Sequence, residues 1–341
     1  MIDLIIPVYN AEDNLDKLIA SICAQTKERK LIVTFVNDHC TDRSIEIIKK
    51  WKEFVSFPIR ILTPPEKLYY PGLVRQYGID RTNADYIMFL DSDDQLCPHA
   101  VEYLYSGILS QNCDIATSEM IVEEGSLNER IQGMKGGGMT WLHGKIYKRS
   151  YLEKNDIIFP SGYNEDCAFN LQVLLNEPKL LECKKQTYIW KNNKNSLTRS
   201  TDSFIIKNYK DIINNYKWAF TRFINQNKDY LNSEKYRFHL LNTLSLFYAL
   251  YNTMCFIEED EEKKDEYILL CRKFVEETKA NEIFNYKELD EKDKIILSSK
   301  MTSCPIITLF TFLYLINLKV DIRPEKIIKL VENKNDQNSN N

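Results

Sequence analysis

The chain is poor in the residues that build zinc centres and disulfide frameworks. It has four histidines in 341 residues, and none of its nine cysteines is placed to form a CxxC pair with another. A zinc site of the common cysteine and histidine types is therefore not expected. An odd number of scattered cysteines is typical of free thiols in a reducing compartment, which favours the cytoplasm.

The chain also lacks an excess of positive charge and a long apolar run. Lysine and arginine number 45 against 49 aspartates and glutamates, so we expect no nucleic-acid partner. The longest apolar run, Pro305–Leu318, is shorter than the roughly 20 residues that span a bilayer. The chain opens in a strand-like run without the signals of a secretory leader. We expect a cytoplasmic protein that at most touches the inner face of the membrane. A buried helix at 305–318 is expected, and an interfacial or dimer contact is the alternative.

The first 120 residues show a regular alternation of strand and helix patterns. Short apolar runs indicate strands, and apolar residues every three or four positions indicate amphipathic helices. This order predicts an α/β fold with a mostly parallel sheet covered by helices. The predicted strands are 2–6, 31–36, 59–62, 86–90 and 114–122, and the predicted helices are 12–25, 41–51 with Thr41 as N-cap, 71–81, one from near Pro98 and one from Asn164.

The pattern loosens after residue 122 and becomes helical after about residue 204. Three glycines at 136–138 indicate a flexible loop before a basic patch at Lys145, Lys148 and Arg149. We expect one domain over 1–203, with halves at about 1–95 and 96–203. A C-terminal helical module over 204–332 and a polar, disordered tail over 333–341 complete the expected organisation.

The most informative stretch is the strand pattern Tyr86–Leu90, which leads directly into three aspartates, Asp91, Asp93 and Asp94. Like charges this close repel one another, and a divalent cation would offset that repulsion. Mg²⁺ and Mn²⁺ prefer oxygen ligands and commonly bridge carboxylates to substrate phosphates. Asp91 and Asp93 stand two residues apart and point the same way in an extended chain. The alternative is a polar turn in which Asp93 or Asp94 caps the next helix.

Polar clusters also follow the first two strands, on the same predicted edge of the sheet, where ligands bind in such folds. The motifs in chain order are Pro7-Val8-Tyr9-Asn10 with Glu12, Val36-Asn37-Asp38-His39-Cys40-Thr41-Asp42, Leu73-Val74-Arg75-Gln76-Tyr77-Gly78-Ile79, Phe89-Leu90-Asp91-Ser92-Asp93-Asp94 and Asn164-Glu165-Asp166. Over residues 1 to about 200 this series resembles the inverting, family 2 type of GT-A glycosyltransferase. Two departures are His39-Cys40, where a Gly-Ser pair is common, and Gln76, where an asparagine is usual.

The resemblance implies roles for individual residues. Asp166 matches the catalytic base, and Asp93 with Asp91 matches the metal site. Glu165 would lie near the donor sugar or the acceptor, and an ordinary helix-stabilising role is the alternative for both first-turn acids. The donor-binding positions are Pro7, Val8, Tyr9, Glu12, Asp38, Arg75, Asp91, Ser92, Asp93 and Arg199. Trp141 and His143 fall in the acceptor-side loop, where a core tryptophan is equally expected, and Arg199 could instead be a surface charge.

The implied activity is a metal-dependent, inverting glycosyl transfer that uses Mn²⁺ or Mg²⁺. A hexosyl or N-acetylhexosaminyl group would move from a nucleotide sugar, UDP-linked by resemblance, to a hydroxyl of a glycan, polymer, lipid-linked saccharide or protein. The diphosphate leaving group needs an electrophile, and the acceptor hydroxyl needs a base. Asp166, in the first turn of a helix, is expected to be kept ionised by the helix dipole.

Two other functions fit parts of the sequence. A sugar-nucleotide nucleotidyltransferase should carry a glycine-rich phosphate loop after the first strand, and Pro7-Val8-Tyr9-Asn10 is not one. A non-catalytic carbohydrate-binding or assembly protein would have no need of the carboxylates Asp91, Asp93 and Asp166. The C-terminal helices show no catalytic pattern, so scaffold, homo-oligomer contact and acceptor platform stay open.

Overall fold

A mixed sheet with helices on both faces forms the first of two compact units, Met1–Phe204 and Ile205–Asn341. The computed structural model describes residues 1–25, 30–124, 127–131, 141–191, 207–257, 260–284 and 306–319, with the backbone alone at 124, 127–131, 257 and 306–310. The glycines at 136–138, Arg199 and the tail at 333–341 lie outside the described residues.

The strands of the first unit form one sheet. They are β1 (Ile2–Val8), β2 (Leu31–Asn37), β3 (Ile59–Leu62), β4 (Tyr86–Phe89), β5 (Gln95–Leu96), β6 (Ile115–Glu124), β7 (Leu127–Ile131), β8 (Lys145–Lys148) and β9 (Leu180–Trp190). The order is β3-β2-β1-β4-β8-β6-β9-β5, with β7 paired to β6. The first four strands are parallel, β8 is antiparallel to β4 and β6, and β9 is parallel to β6. The start of β8 and the end of β9 therefore lie at the edge where β4 ends.

Helices cover both faces of this sheet. They are α1 (Glu12–Cys23), α2 (Ser44–Lys52), α3 (Pro71–Ile79), α4 (Ala100–Ser110), α5 (Arg149–Lys154) and α6 (Glu165–Leu175). Successive strand residues point to opposite faces. Leu4 and Ile6 pack in the core with α1, α2 and α4, and Ile5 packs with α3, α5 and α6. The predicted α/β class is confirmed, and α6 is held on the face that Phe89 and Tyr147 share.

Two local predictions need correction. Thr41 is not an N-cap, because α2 begins at Ser44 and Arg43 precedes it without a side-chain cap. Thr41 is instead tied to Asn10, whose Oδ1 accepts the Thr41 N–H at 2.8 Å. The prediction of a basic patch at Lys145, Lys148 and Arg149 is also wrong in part, because Lys145 belongs to β8 and is only 3% exposed.

The second unit is helical in its described residues. Its helices are α7 (Tyr209–Gln226), α8 (Glu234–Ile257), α9 (Glu261–Glu277), α10 (Ala280–Phe284) and α11 (Ile306–Leu315), with a 3₁₀ turn at Tyr230–Asn232. Aromatic side chains such as Tyr236, Phe247 and Phe274 are fully buried in its core. At the predicted buried helix, Phe312 and Leu313 are buried as expected. Within the described ranges, no helix has both the length and the apolar character that a membrane span requires.

Candidate active site

Two carboxylates at the carboxyl edge of the sheet hold neighbouring loops. Asp38, which follows β2, is buried, and its two oxygens accept the N–H groups of Leu68 and Tyr69 at 2.6 and 3.0 Å. Glu12, in the first turn of α1, accepts the N–H of Arg43 at 3.0 Å and its Nε–H at 3.1 Å. Both predicted donor-binding acids therefore shape this edge through backbone contacts.

The exposed ring of Tyr9 follows β1 at the same edge. It is 51% exposed, and the Lys67 ammonium lies 3.6 Å from the ring centre. Pro7 and Val8 belong to β1 itself, where Val8 is buried, and Ser92 lies partly buried in the turn after β4. A flat, accessible aromatic face is the kind of surface on which a nucleotide base stacks.

Arg75 connects the end of β4 to the start of α6. Its Nη2 donates to Asp91 Oδ1 at 2.5 Å and its Nη1 donates to Glu165 Oε1 at 2.7 Å. Arg75 and Glu165 are buried, whereas the Asp91 side chain is 30% exposed. Burial by itself would raise the pKa of Asp91, but Arg75 and then His143 outweigh it and hold that pKa below its usual range. Asp91 is therefore ionised and has an accessible face.

A glycine makes the approach of α3 to α6 close enough for this connection. A Cβ atom built at Gly72 would lie 2.4 Å from Glu165 Cγ and 2.9 Å from Glu165 Cβ. We expect Gly72→Ala to push Glu165 away from Arg75 and to lower the free energy of unfolding by about 1–3 kcal/mol, although alanine is the better helix former. Denaturant unfolding measures this loss. Combining it with Glu165→Ala, which removes the nearest atom, should recover part of the loss, and purely additive effects would contradict the clash.

Asp166 lies beside Glu165 in the first turn of α6. It is partly buried, and its Oδ1 accepts the N–H of Cys167 at 2.8 Å. Burial, and then the charge of Glu165, raise the pKa of Asp166 to about 7, while Arg75 opposes the shift. The expectation that the helix dipole keeps Asp166 ionised needs correction, because the loss of hydration outweighs the dipole. A carboxyl that titrates near neutrality can both accept and release a proton at physiological pH.

Asp94 is a buried carboxyl that connects the acidic turn at residues 91–94 to the end of β9. It is 2% exposed, its Oδ2 accepts the Tyr188 hydroxyl proton at 2.6 Å, and its Oδ1 accepts the Lys191 N–H at 2.8 Å. Capping of the next helix by Asp94 is not observed, because α4 begins only at Ala100. Burial, and then the charges of the two other aspartates of the turn, raise the pKa of Asp94 well above its usual range.

His143 and an aromatic cluster complete this edge. His143 Nε2 lies 3.3 Å from Asp91 Oδ2, and its ring stacks on Tyr188 with the ring centres 4.5 Å apart. The rings of Trp141 and Trp190 are 5.5 Å apart, and Trp190 is 6.0 Å from His143. Sequence reasoning missed Tyr188 and Trp190. The signal was present as two aromatic residues at i and i+2 at the end of a strand pattern.

Three side chains at this edge could share a cation. Asp91, Asp94 and His143 each offer a ligand atom, and these atoms lie within 4.8 Å of one another. Asp93, the predicted ligand beside Asp91, is not in this group, so Asp91 is common to the predicted pair and the observed group. Two carboxylates and an imidazole fit a divalent cation such as Mn²⁺. In the described part of the chain, His143 Nδ1 is buried without a hydrogen-bond partner, so the ring itself has spare ligating capacity.

The first unit matches a known protein family. Residues 3–165 match the family model described as glycosyl transferase family 2. This part of the chain is therefore similar to glycosyl transferase family 2. The match includes the motifs that follow β1, β2 and β4, together with Arg75, and it ends at Glu165, one residue before Asp166.

Curated glycosyltransferases share sequence similarity with this chain, and a solved structure shares its fold. The chain is 31% identical to glycosyltransferase GlyA of Streptococcus pneumoniae serotype 4, over 58% of this chain and 31% of that protein. It is 27% identical to poly(ribitol-phosphate) beta-N-acetylglucosaminyltransferase TarP of Staphylococcus aureus, over 51% of this chain and 58% of that protein. The crystal structure of S. aureus TarS 1–349 with UDP superposes with a TM-score of 0.63 at 17% identity, over 93% of this chain and 90% of that one. The fold is thus GT-A-like. The chain spans less than two thirds of the length of GlyA and TarP.

The structure brings several of the predicted residues into one network and leaves others apart. Arg75, Asp91, Glu165 and His143 are joined by direct contacts, and Asp166 adjoins them. Tyr9 and Asp38 directly follow β1 and β2, Glu12 lies in the first turn of α1, and Trp141 lies in the aromatic cluster. Arg199 lies outside the described residues. The functional roles of these residues stay predictions.

Proposed function

We propose that the chain is a metal-dependent, inverting glycosyltransferase that moves a sugar from a UDP-sugar to a saccharide-type acceptor hydroxyl. The observation that carries the proposal is the placement of Arg75 between Asp91 and Glu165, with Asp166 next to Glu165. This arrangement joins a carboxylate suited to the donor side with a carboxyl whose pKa of about 7 suits a base. The match of residues 3–165 to the family 2 model supports the same reaction class.

In the proposed reaction, Asp166 accepts the proton of the acceptor hydroxyl. The hydroxyl oxygen forms a bond to the anomeric carbon while the bond to the diphosphate oxygen breaks, so a single displacement inverts the anomeric centre. Arg75 holds the Asp91 and Glu165 carboxylates in place through one hydrogen bond to each. The partly exposed faces of Asp91 and Asp166 leave both groups accessible to substrate.

The acidic end of β4 supplies the residues that would hold the cation. Asp91 would bind the cation in either of two arrangements. The sequence pairs it with Asp93, whereas the structure groups it with Asp94 and His143. A bound Mn²⁺ or Mg²⁺ would offset the negative charge of the departing diphosphate. Of the four side chains, Asp94 is the least accessible, because both of its oxygens already accept hydrogen bonds from Tyr188 and Lys191.

The relatives suggest which substrates to test first. TarP is named for transfer of N-acetylglucosamine to poly(ribitol-phosphate), and TarS has been crystallised with UDP-GlcNAc. We therefore propose UDP-GlcNAc as the first donor to test, and a hydroxyl-rich glycan or polymer as acceptor.

A thermal-shift screen tests the proposal. UDP-, GDP- and dTDP-sugars are added with Mn²⁺ or with EDTA, and a donor at about 100 times its Kd should stabilise the fold by about 2.7 kcal/mol. We expect a UDP-sugar with Mn²⁺ to raise the Tm most, followed by release of UDP when an acceptor is present. A nucleotidyltransferase would instead release pyrophosphate from a nucleoside triphosphate. The absence of any nucleotide binding would overturn the proposal.

The pH dependence of transfer follows from the raised pKa of Asp166. The base must be deprotonated, so kcat/KM should be level above about pH 7 and should fall about tenfold for each pH unit below it. The pKa of about 7 sets the position of this acidic limb. Initial rates between pH 5 and 9 measure it, with thermal unfolding at each pH as the control for folding. A profile that stays level down to about pH 5 would contradict the base assignment.

A further inference from the structure

The β3–α3 loop, residues 63–70, presents two side chains that the reaction described above does not use. Tyr69 is 73% exposed, and Lys67 is partly buried. The Lys67 ammonium lies 3.6 Å from the ring centre of Tyr9 and 5.3 Å from that of Tyr69. Two exposed aromatic rings therefore share one cation at the edge of the sheet where Tyr9 follows β1.

Tyr69 has a backbone conformation that its side chain does not favour. Its φ is 66°, in the left-handed region, which glycine adopts easily and a bulky residue adopts rarely. The ring is mostly exposed, so burial in the core does not offset the cost of this conformation. A bulky residue that is held in a rare conformation, with its ring at the surface, indicates a function for that side chain.

Contacts from the residues that follow β2 hold the β3–α3 loop in this conformation. The two oxygens of Asp38 accept the N–H groups of Leu68 and Tyr69 at 2.6 and 3.0 Å. His39 Nε2 lies 3.0 Å from the carbonyl oxygen of Pro64, at hydrogen-bond distance. The loop is therefore held near both of its ends, and His39, one of the departures from the family pattern, makes one of the two connections.

We propose that Tyr69 and Lys67 bind the nucleobase of the donor, Tyr69 by stacking and Lys67 by donating a hydrogen bond to a base carbonyl oxygen. The inference rests on the proposed function, in which a UDP-sugar binds at this edge of the sheet. An aromatic ring stacks on any base. An ammonium group is a hydrogen-bond donor only, which suits the carbonyl oxygens of uracil. Asp38 then acts on the base through the loop, as a positioning residue for Tyr69.

The order of the strands favours the base over the diphosphate as the partner of Lys67. Two strands, β2 and β1, lie between β3, which precedes the loop, and β4, whose acidic end would hold the cation beside the diphosphate. The Lys67 ammonium instead lies against the ring of Tyr9, on which a base would stack. A base on this ring comes within reach of the ammonium, because the four-carbon stem of lysine is flexible.

Nucleotide binding by the full chain tests the inference without an activity assay. Calorimetry measures the Kd of UDP with Mn²⁺ at low and at high salt, and competition with UDP measures the Kd of uridine, which carries no phosphate. Tyr69→Leu removes the ring, Tyr69→Phe keeps it, and Lys67→Met removes the ammonium. The Tm of each variant is the control for folding.

A similar pair of side chains near the other end of the sheet supplies the matched controls. Tyr103 on α4 is 41% exposed, and the ammonium of Lys185 on β9 lies 5.5 Å from its ring centre. Tyr103→Leu and Lys185→Met therefore make the same changes to an exposed ring and its cation away from the donor site. Both should bind UDP and uridine within about twofold of wild type.

We expect Tyr69→Leu to weaken the binding of UDP and of uridine by about fivefold or more, because a stacking ring is lost. Tyr69→Phe should stay within about twofold of wild type. Lys67→Met should weaken both ligands by a similar factor, about three- to tenfold, since a hydrogen bond to the base is lost from each. The loss in Lys67→Met should change little between low and high salt.

Unchanged binding of uridine in Tyr69→Leu or in Lys67→Met would overturn the inference. A loss in Lys67→Met that is confined to UDP and shrinks at high salt would do the same, because it would show an ion pair with the diphosphate. These outcomes are distinct from failure of the proposed function, in which the wild-type chain itself binds no UDP.

Discussion

Replacing Asp166 with asparagine should lower the rate of sugar transfer by about 10²–10⁴-fold, because the amide keeps the shape of the side chain but cannot accept the acceptor proton. The fold should be retained. Since burial raises the pKa of Asp166 in the folded chain, its ionisation destabilises the fold as the pH rises from the ordinary carboxyl range through about 7. The amide has no such penalty. Asp166→Asn should therefore be at least as stable as the wild type at about pH 8, by thermal unfolding.

A matched control for this variant exists on another helix of the same unit. Asp13 is an exposed acid in the first turn of α1, whereas Asp166 is a partly buried acid in the first turn of α6. Asp13→Asn should leave transfer unchanged within about twofold. Equal transfer by Asp166→Asn and the wild type would show that Asp166 only stabilises its helix. Donor binding by Asp166→Asn should stay within a few-fold of wild type, which separates loss of the base from loss of the site.

The second large effect is expected at Asp91. Asp91→Asn removes the charge that Arg75 and His143 both contact, at 2.5 and 3.3 Å, and it leaves the buried Arg75 with Glu165 alone. Truncating one partner of a buried charge pair typically costs about 3–5 kcal/mol. We expect a loss of Mn²⁺-dependent donor affinity of about 100-fold or more, and a lower Tm. Calorimetric titration of UDP, with Mn²⁺ and with EDTA, measures the first of these.

Companion variants identify the rest of the cation site. Asp93→Ala should match the loss in Asp91→Asn if the predicted pair holds the cation, whereas Asp94→Asn and His143→Ala should match it if the observed group does. Asp93→Ala leaves the contacts of Asp94 with Tyr188 and Lys191 in place. A loss of affinity in this variant is therefore easier to assign to the cation site than a loss in Asp94→Asn. Metal-independent donor binding in all of these variants and in the wild type would show that the acidic turn is structural.

Much of the first hundred residues could be predicted because the signals there are local. The strand β3 (Ile59–Leu62) matches its prediction at both ends, and β1, β2 and β4 match within two residues. Each is a short apolar run between polar turns, and β1 and β2 are each followed by an amphipathic helix. The carboxyl ends of parallel strands lie at the same edge of a sheet. Tyr9, Asp38 and Asp91, which follow β1, β2 and β4, are therefore predicted to lie at that edge.

The second half of the sheet was harder to predict because its pairing is not local. β8 lies between β4 and β6 and runs antiparallel to both, although about 60 residues of chain separate it from β4. Its short sequence, Lys145–Lys148, looks like a charged surface patch when only its neighbours in the sequence are considered. Burial of Lys145, and the placement of Tyr188 of β9 against Asp94, depend on that distant pairing.

The α/β class, the acidic end of β4 and the two acids at the start of α6 could all be predicted from the sequence, because each depends on residues close together in the chain. The contacts between distant residues depend on the tertiary structure, in which Arg75 connects Asp91 to Glu165, and Asp91, Asp94 and His143 offer ligand atoms within 4.8 Å of one another. It also decided that the Asp166 carboxyl titrates near neutrality. Hydration and Coulomb energies depend on every group within a few ångströms, and folding brings those groups together from separate parts of the chain.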